Sequence, residues 1–225
     1  MISVIIPTLN AAAPLPRALS SLYPAALEGI VREVIVSDGG SHDPTLAMAE
    51  EAGCEIVAGE KGRAAQMIRG AAAARGRWLL FLHADTGLEE GWSEEALRFL
   101  NAGDERRAAA FRFAFDDASF AASWIAFWVG VRCATLKLPY GDQGLLISRT
   151  FYNELGGLRD LPLMEDVDLV RRVGPARLAM LKSRAFTSAE KYRRDGYARR
   201  AMRNLGLITR YLMGADPAKL AREYD

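Results

Sequence analysis

The chain has 225 residues, half of them apolar and a quarter charged, with a net charge of +1. That balance suits one globular domain with a large core and argues against a molecule built as a whole for nucleic acid. Two histidines make a histidine-rich zinc site untenable. The two cysteines, Cys54 and Cys133, lie too far apart for metal-ligand spacing and point to a reduced, cytoplasmic setting.

The start, MISVIIPTLN, lacks the basic opening and longer apolar run of a signal peptide and reads as a first strand, Ser3 to Ile6, closed by Pro7. A helix is predicted from near Pro14 to Leu22, then a strand at Val34 to Val36 ending in Ser37-Asp38-Gly39-Gly40. Ser41-His42-Asp43-Pro44 opens a helix, since proline suits a first turn, and Gly53 stops it after Ala52. Glu55 to Val57 is a third strand, Gly62 to Ala74 an alanine-rich helix and Trp78 to Leu82 a fourth strand. Ser93 is the expected cap of a helix ending near Leu100. Short apolar strands alternating with such helices predict a mostly parallel, Rossmann-like α/β sheet flanked by helices on both faces. Ligands bind beyond the carboxyl ends of such strands, where Thr8, Asn10, Asp38, His83 and Asp85 all fall.

The second half has a different texture. Phe111, Phe113 and Phe115 alternate with Arg112 and Ala114, as in a half-exposed strand. Phe120 to Leu138 is strongly apolar, but Arg132 and Lys137 fall within the ~20 residues a membrane span would need. A buried helix or a homodimer interface is the first expectation, with a helix resting on lipid as the alternative. A loop at Pro139 to Gly144 leads to a strand at Leu145 to Ile147, and a helix starts at Met164. Between Lys182 and Arg210 nine basic residues face two acids, in a tail expected to be helical. That run suits either a solvated face or an anionic partner, such as a substrate diphosphate or lipid headgroups.

After the first strand there is no G-x-G-x-x-G, and no P-loop occurs anywhere, so the ligand must be held by other means. Asp38 could accept hydrogen bonds from a nucleotide base or ribose, with Gly39 and Gly40 allowing close approach, or it could be a turn residue. His83 and Asp85 would point the same way if the extended backbone continued. Aspartate oxygen suits Mg2+ or Mn2+, though such pairs also end ordinary strands. Glu165-Asp166 could serve the helix N-terminus, or supply a general base.

In this order SVIIPTLN, VSDGGSHD, FLHADT and MED resemble the inverting family-2 glycosyltransferases of the GT-A fold, over about residues 1 to 172. GRAAQMIRGAAAARG, PYGDQGLLISR and TSAEKYRRDG are similar to segments of a bacterial subgroup of that family. The resemblance implies a single GT-A domain: a nucleotide-sugar half (1–100), an acceptor and base half (101–181) and a basic helical tail (182–225). It places Pro7, Thr8, Asn10, Asp38, Lys61, Gly62, Arg63 and His83 at the nucleotide sugar, Asp85 on a Mn2+ or Mg2+ ion and Asp166 as the base. His83 departs from the carboxylate that usually begins the family's Asp-x-Asp. For the acceptor or the diphosphate, Arg132, Asp142, Gln143, Glu165, Lys191, Tyr192 and Arg193 are the candidates. The implied activity is metal-dependent transfer from a nucleotide sugar, with UDP as expected carrier, to a hydroxyl. The apolar helix and basic tail suggest a lipid-linked acceptor and peripheral contact at the inner face of the membrane. A nucleotidyltransferase would need a glycine- and arginine-rich loop in place of PTLNAAAP. A sensor that binds the nucleotide sugar without transferring it is the other alternative.

Overall fold

The computed structural model describes residues 1–224. The parallel strands β1 (Ile2–Thr8), β2 (Val31–Asp38), β3 (Glu55–Ala58) and β4 (Trp78–Phe81) form one flank of the sheet, with β1 between β2 and β4. Along β1, Val4 and Ile6 enter one core with Leu15, Leu22 and Leu80, while Ile5 enters a second core with Ile35, Met67 and Phe81. Alternate side chains therefore meet apolar partners on opposite faces, which is why these strands read as unbroken apolar runs. Helices α1 (Leu15–Leu27), α2 (Thr45–Glu51) and α3 (Arg63–Ala73) connect them. Gly53, at φ 73°, takes the left-handed turn after α2 that glycine adopts without steric cost.

The sheet continues through β7 (Leu145–Ser148), β6 (Ala108–Phe115) and β8 (Leu178–Thr187) to the short β5 (Thr86–Leu88). β7 runs antiparallel to β4 and β6, β8 runs parallel to β6, and β5 runs antiparallel to β8. Four of the seven pairings are parallel. This is the expected α/β sheet flanked by helices, with the parallel pairing concentrated in its first four strands and a mixed second half.

Several local expectations change. Helix α1 runs through Pro24 to Leu27 rather than ending near Leu22. Ser93 lies inside α4 (Trp92–Leu100); Gly91, at φ 81°, occupies the cap position, because the left-handed entry excludes most side chains. The backbone does not stay extended through His83 and Asp85. It turns after Leu82, with the Thr86 N–H donating to the His83 carbonyl at 3.1 Å, and returns as β5, which no sequence pattern signalled. Residues 182–187 belong to β8, so the helical tail begins only at α8 (Glu190–Asp195), followed by α9 (Tyr197–Leu212) and α10 (Pro217–Tyr224).

The largest departure is α5 (Phe120–Leu136), which is not a buried helix. Its inner side packs Ala122, Ile125 and Val129 on Phe113 and Phe115. Its outer side exposes Phe120, Trp124, Phe127 and Trp128, whose rings contact one another. Among the described residues no helix is long and apolar enough to cross a membrane. Helices α6 (Arg149–Glu154) and α7 (Glu165–Val173) complete the fold.

Candidate active site

A cavity of about 170 Å³ collects side chains from distant parts of the sequence. His83 and Asp85 come from the turn after β4, Asp142 from the loop before β7, Asp166 from the first turn of α7, and Lys191 and Arg200 from the tail. Arg63, at the start of α3, closes the near wall. The turn carrying Asp85 is fixed at both ends, since the Ser188 N–H donates to the Asp85 carbonyl at 3.2 Å.

Asp166 is held by two backbone donors, Gly141 N–H at 2.6 Å and Val167 N–H at 2.8 Å, one on each carboxylate oxygen. It also sits at a helix N-terminus, where the peptide dipoles favour a negative charge. Gly141 is required by proximity. A Cβ there would lie 2.7 Å from His83 Nε2 and 2.9 Å from Asp166 Oδ2. Met164, just before α7, has φ 67°, a strained conformation for a residue with a side chain and one typical of functional sites.

The charges are uncomfortable. Burial pushes the Asp142 carboxyl up to about 6; Arg132 pulls against this, while Asp166 and Asp85 add to it. Burial, reinforced by Arg63, pushes His83 down to about 4, so its imidazole is neutral around pH 7. Burial also raises Glu165, which is 1% exposed and forms a two-point pair with Arg63.

A divalent cation fits this donor set. Among the described residues Asp142 Oδ1 is buried without a hydrogen-bond partner, and the available oxygens are carboxylates, the ligands preferred by Mg2+ and Mn2+. Among the described residues no three His, Cys, Asp or Glu side chains form a ready-made cage, so substrate oxygens would have to complete the shell.

The other expected nucleotide residues gather at the neighbouring edge, outside this cavity. Thr8 pairs with Asp38 in register across β1 and β2. Asp38 accepts four hydrogen bonds: Thr8 Oγ1 at 2.9 Å, Gly40 and Ser41 N–H at 2.7 Å each, and Ser41 Oγ at 2.6 Å. Asn10 braces the same loop, donating its N–H to Ser41 Oγ and accepting from the His42 N–H. Pro7 does not close β1 as expected but lies within it, half-buried and paired with Ser37, while Lys61 is exposed beside the half-buried Gly62. Gln66, which lies in the GRAAQMIRGAAAARG segment but does not stand out there, ties the edge together by donating to the Thr8 and Ser37 carbonyls at 2.5 and 2.9 Å.

The acceptor candidates divide. Asp142, Lys191 and Tyr192 line the cavity. Gln143 donates to the Phe111 carbonyl and accepts from Arg132, whose guanidinium lies over Tyr140, so both organise the loop. Glu165 is occupied by Arg63, and Arg193 lies 3.7 Å from Asp117 outside the cavity. Sequence reasoning missed Gly141, Ser188, Arg200 and Tyr224. Gly141 stood inside a loop already noticed and Arg200 inside the basic run, but Tyr224 lies in a terminal segment with no motif.

The sequence profile described as "Glycosyl transferase family 2" matches residues 3–153. Curated relatives include the PGL/p-HBAD biosynthesis glycosyltransferases of Mycobacterium bovis and Mycobacterium tuberculosis, 40% identical over 97 residues. That match covers 40% of this chain and only 37% of those relatives' length. Among solved structures, the chain is similar to glucosyl-3-phosphoglycerate synthase from Mycobacterium tuberculosis in complex with Mn2+, UDP-glucose and phosphoglyceric acid. The TM-score is 0.58 at 20% identity, over 91% of this chain and 78% of that one. It is also similar to S. aureus TarS 1–349, with a TM-score of 0.66 at 15% identity, over 99% of this chain and 70% of that one. At these identities the structural likeness concerns the fold.

Proposed function

The chain belongs to glycosyl transferase family 2 and has the GT-A fold, and on that premise we propose that it is a metal-dependent inverting glycosyltransferase using a UDP-sugar donor. The observation that carries this reading is the meeting of Asp85 and Asp166, 81 positions apart in the chain, in one cavity beside the carboxyl ends of the parallel strands. The solved relative bound to Mn2+ and UDP-glucose supports the choice of metal and donor.

Asp85, with Asp142 beside it, would hold the cation, which when bound would supply positive charge to offset the negative charge developing on the departing diphosphate. Asp166 accepts the proton of the acceptor hydroxyl. Its two backbone hydrogen bonds fix the carboxylate and leave lone pairs for that proton. The acceptor oxygen then bonds to the anomeric carbon as the bond to the diphosphate breaks on the opposite face, which inverts that centre. Neutral His83 can donate a hydrogen bond to the donor without adding a charge. The edge of Thr8, Asn10 and Asp38, with Lys61, Gly62 and Arg63 beyond it, provides the nucleotide side; residues after 100 provide the acceptor and base side.

The test is a screen of nucleotide sugars by thermal shift, with and without Mn2+, followed by turnover assays. A UDP-sugar should raise the melting temperature more with Mn2+ present, and Asp85→Ala should lower metal-dependent turnover on the order of 10³-fold. Retained turnover in that variant would remove Asp85 from the site. Binding without sugar release in the wild type would favour the sensor.

The acceptor we take to be lipid-linked or membrane-proximal, because α5 exposes aromatic side chains of the kind that rest in a bilayer interface. A homodimer through the same face is the competing use. Flotation with anionic liposomes at low salt decides between them, and absence of association sinks the membrane reading.

A further inference from the structure

A second concavity of about 430 Å³ shares three lining residues with the active-site cavity. Five of its seven lining residues are cationic: Lys191, Arg194, Arg199, Arg200 and Arg203. The others are Asp195 and Tyr224. Asp195 serves three guanidiniums, with Arg194 at 2.8 Å, Arg203 at 3.7 Å and Arg200 also in contact. Lys191 and Arg199 have no carboxylate partner among the described residues, and Arg203 Nε is buried without an acceptor. Arg200, whose side chain is 6% exposed, is the buried cation of this wall, while Lys191, Arg194 and Arg199 are exposed.

Like charges gathered in a concave wall repel one another and raise the local potential. A solvated face would spread these residues around the helix. Here α8 and α9 converge them on one hollow. An oxyanion with several acceptors satisfies forked guanidinium donors best, which favours phosphate chemistry.

Position indicates which substrate brings the anion. Lys191, Arg200 and Tyr224 line both cavities, whereas Thr8, Asn10, Asp38 and Arg63 do not line the second. The donor's diphosphate has to meet the cation at Asp85, but among the described residues the second hollow is lined by one carboxylate, Asp195, which is taken up by guanidiniums. We propose that this hollow is a phosphate subsite for the acceptor, anchoring an acceptor phosphate while its hydroxyl faces Asp166. The assignment rests on the transfer reading above. A soluble phosphomonoester and a lipid headgroup share this chemistry.

The experiment titrates sn-glycerol 3-phosphate into the full chain by calorimetry at low salt without divalent metal. It compares wild type with Arg199→Gln and with Arg199→Gln/Arg203→Gln. Binding should weaken at least tenfold in the double variant and measurably in Arg199→Gln, an exposed site whose change should leave the fold intact, as circular dichroism would check. Saturating UDP with Mn2+ should leave wild-type binding unchanged. Vesicles of phosphatidylglycerol, against phosphatidylcholine as control, form the lipid arm. Variant-sensitive binding in either arm supports the subsite and identifies the phosphate source. Absence of binding in both arms, or binding indifferent to both variants, overturns it. Displacement by UDP with Mn2+ would assign the hollow to the donor diphosphate and overturn the acceptor role. Variant-sensitive phosphate binding in a protein that binds no nucleotide sugar would sink the transfer reading and leave an anion site standing.

Discussion

Two carboxylates near the carboxyl ends of the sheet strands have opposite fates. Asp38 is 1% exposed, and its own loop and Thr8 supply four hydrogen-bond donors. Asp142 has a buried oxygen without a donor and two like-charged neighbours. Burial works against the charge in both. At Asp38 the hydrogen bonds from Ser41, Thr8 and Gly40 outweigh it and hold the carboxyl below its usual range; at Asp142 burial prevails. A satisfied buried charge organises structure, while an unsatisfied one marks a place suited to a ligand.

The largest test of that contrast lies at Asp166, whose carboxylate is braced by two donors yet faces the cavity. Asp166→Asn keeps the shape and removes the proposed base. Transfer should fall ~10²–10⁴-fold while donor binding survives in calorimetry. Retained transfer would move the base elsewhere.

Next come the two contrasted residues. Asp38→Ala strands several donors and should cost roughly 3 kcal/mol in chemical denaturation at neutral pH. Because Asp38 is lowered, its contribution is present above its ordinary value near 4 and is lost as pH falls through its lower folded value. Asp142 has the opposite sign. Its raised carboxyl costs stability as pH rises from about 4 to about 6, and the cost remains in full above that window. Metal-free Asp142→Asn should therefore be more stable than wild type by roughly 2–3 kcal/mol near pH 7.5, with no gain near pH 4. A destabilised Asp142→Asn at neutral pH would erase the contrast.

The smallest expected effect is at Gly141. A Cβ there meets the His83 ring and Asp166, so Gly141→Ala should reduce kcat about 10- to 100-fold by displacing them, with melting temperature nearly unchanged. A large loss of stability with unaltered kcat would make Gly141 a purely structural residue.

How much of this could be read in advance differs along the chain. From β1 to β4 each strand is a short apolar run, and its polar terminus is covalently attached to it. Local pattern therefore placed Thr8, Asp38 and Asp85 near one sheet edge. The second half resisted because its information is relational. β5 is three residues long and exists only because β8 pairs with it. The aromatic run of α5 reads as core by composition, yet only one side of that helix meets the sheet. Arg132 and Gln143 read as ligand residues, but their hydrogen bonds close a loop.

By itself the sequence determined the α/β alternation, the family resemblance and the candidate pair Asp85 and Asp166, because periodicity and short motifs are properties of neighbouring residues. Only the tertiary structure decided that Asp38 is saturated and Asp142 is not, that α5 turns its aromatics outward, and that the tail's arginines converge beside the active site. Those outcomes depend on which distant groups arrive within hydrogen-bonding and Coulombic range, and that is set by packing.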